Sequence, residues 1–129
     1  MAMDDLKSSS MMSHLIDTLE RGESVGHYGR LVFAMVGRYF VDEDELASML
    51  EKDPECDANE ARSLIRQVNA RNYNPPHRDR ILEWMHRQEF PICPDTADPR
   101  ACNVYRDLKF PREIYDRIEE FYSGAQSAA

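Results

Sequence analysis

The sequence predicts an all-α fold: a single-domain bundle of five to six helices with a proline-rich irregular crossing before the last helix. Three observations support it. Apolar residues recur at helical spacing, and no strand-period alternation of useful length appears. Helix start and stop signals punctuate the chain. Pro91, Pro94, Pro99 and Pro111 then break up one stretch where regular structure cannot run.

Taken in order, residues 1–10 are small and polar and are expected to be an unfastened N-terminus, with Ser8-Ser9-Ser10 capping a first helix. That helix runs from about Met11 to Arg21, with Met11, Leu15, Ile16 and Leu19 inward and Gly22 as its left-handed stop. The glycines at 22 and 26 suggest a joint, so this helix is expected to pack loosely. A second helix, His27 to Phe40, places Leu31, Val32, Met35, Val36 and Tyr39 on a broad face. Gly37 inside it lowers helix propensity by roughly 1 kcal/mol relative to alanine, which implies close approach of a neighbour. Asp42 with Glu45 forms a capping box for a third helix ended by Asp53-Pro54, and Asp57 with Glu60 repeats the device for a fourth that ends near Arg71. Asn74-Pro75-Pro76 is a fixed corner. Proline at the first helical position predicts a fifth helix from Pro75 to about Glu89, with Asn74 as its cap. One short helical turn is expected after Asp98-Pro99. A last helix starts at Pro111 with Ile114, Tyr115, Ile118, Phe121 and Tyr122 inward before Gly124. The helical domain thus spans 11–123, and 124–129 is expected to be a flexible C-terminus.

Composition bounds the function. The chain of 129 residues suits one domain. With 42% hydrophobic and 31% charged residues it is ordinary for a globular protein. Its longest apolar run, Leu31 to Val36, is far short of a membrane span, and no leader-like N-terminus is seen, so a cytoplasmic location without membrane contact is expected. The net charge of -8 repels polyanions, so any nucleic-acid contact needs a local basic patch. Cys56, Cys93 and Cys102 are odd in number and irregular in spacing, which argues against a disulfide framework and for a reducing compartment. No close Cys-x-x-Cys-like pair pre-forms half of a zinc site, so no metal and no cofactor is assigned, and Cys93 and Cys102 read as small buried groups pinning the crossing. No nucleophile elbow, zinc-protease helix or glycine-rich phosphate loop appears, so no catalytic residue is assigned.

Two constellations remain. Arg62, Arg66, Arg71, Arg78, Arg80 and Arg87 fall in one stretch with His77 and His86, interleaved with Tyr73 and Trp84 and without lysine. Guanidinium groups bind phosphate bidentately and stack on bases, so Arg62, Arg66, Arg71, Tyr73, His77, Arg78, Arg80 and Arg87 form a candidate nucleic-acid face. The plainer alternative is a solvated face of helical ion pairs with Glu60, Asp79, Glu83 and Glu89. The second constellation is Gly26-His27-Tyr28-Gly29-Arg30, where helix N-terminal amides beside His27 and Arg30 would suit an anion; a tight turn and cap is its alternative.

Gly26-His27-Tyr28-Gly29-Arg30, the apolar run Leu31 to Tyr39, the acidic-capped Asp42 to Leu50, and Asn69 through Asn72-Tyr73-Asn74-Pro75-Pro76 together resemble the helical C-terminal domain of prokaryotic and viral-type primases. The likeness covers residues 25–84. It implies an accessory domain in DNA replication that contacts nucleic acid or a replication protein; the polymerase domain of such proteins has no counterpart in this sequence. The expected function is therefore a non-enzymatic binding module of this kind. The alternative is a regulatory or structural protein–protein interaction module, perhaps homo-oligomeric, without nucleic-acid contact.

Overall fold

A computed structural model describes residues 2–118. All regular structure among them is helical: α1 (Ala2–Leu6), α2 (Ser10–Glu20), α3 (Gly26–Gly37), α4 (Glu43–Leu50), α5 (Ala58–Arg71), α6 (Arg78–Met85), α7 (Val104–Asp107), and α8, described over 112–118. The count exceeds the expected five to six because α1 and α7 are short helices at places read as tail and crossing. Phe121, Tyr122, Gly124 and the expected flexible segment 124–129 lie outside the described residues.

The N-terminus is fastened, contrary to expectation. Leu6 is fully buried and Met3 packs against the core, which anchors α1. Ser9 caps α2 as expected, its hydroxyl accepting from the Met12 amide at 3.2 Å. Nor is α2 loose: Met11, Met12, Leu15, Ile16 and Leu19 are all fully buried. Burying one such side chain contributes about 1.5–3 kcal/mol, and this helix buries several in succession. Its far side is also tied down, because the His14 ring stacks on Phe90 at 5.0 Å and its Nε2 lies 3.0 Å from the Pro91 carbonyl oxygen. Gly22 takes φ +74° as the stop, and the Glu23 amide bonds back to the Thr18 carbonyl.

At the centre lies α3, with Val32, Phe33, Ala34 and Val36 fully buried. The close approach implied by Gly37 is made by α4: a Cβ there would stand 2.8 Å from Leu46 Cδ1. Both acidic caps form as expected, Asp42 accepting from the Glu45 amide and Asp57 from the Glu60 amide, each at 2.8 Å. Asn72 ends α5 in the left-handed conformation, with φ 50°. Arg38, just past α3, holds that end. Its guanidinium donates to Asn69 Oδ1, Asn72 Oδ1 and the Tyr73 carbonyl, placing a cation where the α5 dipole is negative.

The proline corner is longer than expected. Helix α6 begins only at Arg78, with His77 in the capping position, so Pro75 and Pro76 lie outside it and are buried. The physical reason is that Pro76 excludes the helical region for Pro75, just as Pro75 does for Asn74. The extended Pro75 carbonyl is then free to accept from the Tyr105 hydroxyl.

The crossing after α6 differs in its chemistry. Cys93 and Cys102 are joined by a disulfide, their Cα atoms 5.8 Å apart, which corrects the reading of both as thiols. Spacing along the chain could not reveal this, because a turn at 98–101 and the Arg78 side chain fold the segment back on itself. The helical turn expected after Pro99 forms later, as α7, with Asn103 accepting from the Arg106 amide at 3.3 Å. Behind it Tyr105, Phe110 and Tyr115 pack edge-on beneath Tyr39 and Phe40. Ile114 of α8 is fully buried. No helix among the described residues is long and apolar enough to cross a membrane.

Candidate nucleic-acid interface

The largest concavity is a cleft of about 620 Å³ between α3, the proline corner, α6 and α8. Leu31 and Met35 of α3 form part of its floor, continuous with a small apolar cluster of Ala34, Met35 and Val68. The corner contributes Tyr73, Asn74, Pro75 and Pro76. Across from it stand Arg80 and Trp84 of α6 and Arg117 and Ile118 of α8, with His77 at the junction. Each wall is braced from outside. Arg38 and the Tyr39 hydroxyl both bond the Tyr73 carbonyl, at 2.8 and 3.3 Å. Tyr105 bonds Pro75 and stacks on His77 at 4.8 Å, while Tyr28 stacks on Trp84 at 5.7 Å.

In a chain of net charge -8, the lining of this cleft contains no carboxylate. Its charge comes from Arg80 and Arg117. Desolvation pushes the His77 imidazole below its ordinary pKa, with Asp79 pulling the other way, so the ring is neutral at pH 7. Arg80 is 3.9 Å from Glu83 and both side chains are more than half exposed, a geometry that contributes little and that a ligand can displace.

The other arginines of the expected face do not assemble into one surface. At 3.6 residues per turn, Arg62 and Arg66 project from the flank of α5 near α4, whereas Arg71 projects from the opposite flank beside Leu64. Arg62 is paired with Asp44 at 2.8 Å and Glu43 at 3.6 Å, and Arg66 lies 3.5 Å from the Ser63 hydroxyl. Arg87 shares Glu83 with Arg80, at 3.4 Å. Arg78 faces inward, donating to the carbonyls of Ala101, Thr96 and Asp98 at 3.0, 3.0 and 3.2 Å. Of the expected set, the cleft gathers Tyr73, His77 and Arg80. Trp84 joins them, as do Asn74 and Arg117, which the sequence reading did not assign. Arg117 lies far along the chain, and only the packing of α8 brings it there.

The second constellation carries its anion within the chain. Arg30 donates to the fully buried Asp53 at 2.9 Å, and Asp53 also accepts from the Val25 amide, the Ser24 hydroxyl and the Glu55 amide. The amides at the start of α3 are likewise taken, Gly26 by the Ser24 hydroxyl and Tyr28 by Gln88 Oε1. His27 is exposed and meets Tyr28 edge-on. Gln88 was not singled out in the sequence, yet it also bonds the carbonyls of Val25 and Phe90 and occupies the space a Cβ on Gly26 would need. Gly26 has φ +77°, so a side chain there is excluded twice over.

Among the described residues no three His, Cys, Asp or Glu side chains converge as a metal-binding set. No protein-family model, curated protein or solved structure matches this chain.

Proposed function

We propose that the chain is a non-enzymatic binding module that takes single-stranded nucleic acid in the cleft between the proline corner, α6 and α8. The observation that carries this reading is the carboxylate-free lining, in which Arg80 and Arg117 stand beside Trp84, Tyr73 and His77. Guanidinium groups take phosphates, and aromatic or apolar walls take the faces of unstacked bases. A duplex suits the cleft poorly, because its bases are already stacked and the surrounding surface is acidic. The likeness of residues 25–84 to the helical domain of primases supplies a setting, an accessory role in DNA replication. The second reading is a protein-docking module; the apolar floor of Leu31, Met35 and Ile118 favours it and would accept an apolar side chain of a partner.

Salt dependence separates the two. A labelled single-stranded oligonucleotide is expected to bind at low ionic strength and to weaken steadily as salt rises. Arg80→Glu reverses a charge on the lining and is expected to lower affinity by about tenfold or more, since losing one charge-assisted bond of 1.5–3 kcal/mol already accounts for that factor. Arg80 is exposed and outside the core, so the variant is expected to melt like the wild type. Failure to bind any single strand at low salt would leave the docking reading.

A further inference from the structure

The cleft holds two polar atoms that the protein itself leaves unanswered. Among the described residues, the buried side-chain nitrogen and oxygen atoms without a hydrogen-bond partner are Arg38 Nε, Asn74 Oδ1 and Arg117 Nε. The last two belong to residues that line this cleft. A shielded polar atom without a partner costs about 1–3 kcal/mol, so native proteins keep few of them. Arg38 Nε has a local reason, because the rest of that guanidinium is committed to Asn69, Asn72 and Tyr73. Asn74 has none. Its backbone is restricted by Pro75, and the preceding carbonyl is held by Arg38 and Tyr39, so neighbours fix its place without satisfying its oxygen.

The two atoms ask for opposite chemistry. Asn74 Oδ1 needs an N–H donor, and Arg117 Nε needs an acceptor. A bare phosphate or carboxylate offers only acceptors, so it would answer Arg117 and leave Asn74 facing an anion. A base edge offers both. Resting on the reading of the cleft as a single-strand site, we propose that Asn74 and Arg117 read the edge of one unstacked purine base while Arg80 takes the phosphate of the same strand. A purine presents an N–H donor and ring or carbonyl acceptors side by side. Its two fused rings cover more of Trp84 and Tyr73 than a pyrimidine does, and they fill more of a cleft of about 620 Å³.

The test compares mixed-purine and all-thymine strands of equal length, labelled and titrated by anisotropy at one low salt concentration. The purine strand is expected to bind about fivefold or more tightly, the factor that about 1 kcal/mol of base discrimination gives. Asn74→Ala is expected to remove that preference while leaving thymine affinity close to that of the wild type. Asn74→Asp keeps an acceptor oxygen and is expected to keep the preference, and Arg117→Lys keeps the charge but loses the planar fork and is expected to reduce it. These two variants carry the test if Asn74→Ala melts early. Competition by a free purine mononucleotide supports the base-reading site and identifies a free nucleotide as a second source of the same chemistry. Equal binding of both strands, or a preference that survives both Asn74→Ala and Arg117→Lys, overturns the proposal and leaves the single-strand reading standing. Absence of binding to any strand overturns both.

Discussion

Asp53→Ala is expected to destabilise the fold by about 3–5 kcal/mol, because it removes one member of a buried ion pair and leaves the other charge uncompensated. The side chain of Asp53 is fully buried and that of Arg30 is 12% exposed. Asp53 also collects the amides of Val25 and Glu55 and the Ser24 hydroxyl, so it joins the turn after α4 to the segment that opens α3. Its loss would free the Arg30 guanidinium inside the fold and strip two amides of their acceptor. Urea unfolding at pH 7 measures the effect. The pH dependence has a definite sign. Burial alone would push the Asp53 carboxyl up, but the Glu55 amide, Arg30, the Val25 amide and Ser24 outweigh it and hold the pKa below the ordinary carboxylate value. A depressed folded-state pKa gives stability that is complete above the unfolded value of about 3.9 and is lost as pH falls through the lower folded value. Wild-type protein is therefore expected to lose this contribution only in strong acid, whereas Asp53→Asn, which cannot ionise, is expected to lack that part of the acid transition.

Arg78→Ala is expected to cost about 2–3 kcal/mol, since one guanidinium supplies three charge-assisted bonds to a segment with little else to hold it. Residues 94–100 are all exposed, and their fastenings are short local turns, the disulfide at the two flanks and Arg78. The three carbonyls are partly solvated and can recover water, which keeps the figure below the sum of three buried bonds. Limited proteolysis is expected to cut within 94–100 in this variant far faster than in the wild type. Arg78 and the disulfide constrain the same loop, so their effects should not add. Closing so short a loop contributes about 2.5 kcal/mol in the chain-entropy account. Once either fastening is gone, ordering the loop for the other costs more. The combined variant, Arg78→Ala with Cys93→Ala and Cys102→Ala, is therefore expected to lose less stability than the two losses added together. A fully additive result would mean that Arg78 acts elsewhere.

These two residues also mark the boundary of what the sequence discloses. Features encoded within a few residues could be read directly. The Ser9, Asp42 and Asp57 caps, the Gly22 stop and the end of α5 at Arg71 all depend on contacts within one turn. Gly37 announced a close neighbour because a glycine inside an apolar helix has few other uses. Features that depend on the return of a distant segment could not be read this way. Arg78 looked like a surface cation until the crossing folded over it, and Arg30 looked like an anion receptor until Asp53 supplied the anion. Cys93 and Cys102 met because of a turn that their spacing does not state. The candidate site was half legible. Tyr73, His77, Arg80 and Trp84 stand in one stretch of sequence and share the cleft, whereas Arg62, Arg66 and Arg71 are divided between two flanks of α5 by helical geometry alone. The corner itself was placed correctly but given too short a reach, because the restriction proline imposes on its predecessor applies to Pro75 as well as to Asn74.

Trp84 is the only tryptophan in the chain and lines the cleft, so its fluorescence reports directly on what enters there. Titration with an unlabelled single-stranded oligonucleotide is expected to change Trp84 emission saturably, with a midpoint that matches the anisotropy curve and moves to higher concentration as salt is added. An oligonucleotide that binds by anisotropy while Trp84 emission stays constant would place the contact elsewhere on the surface and contradict the assignment of the cleft.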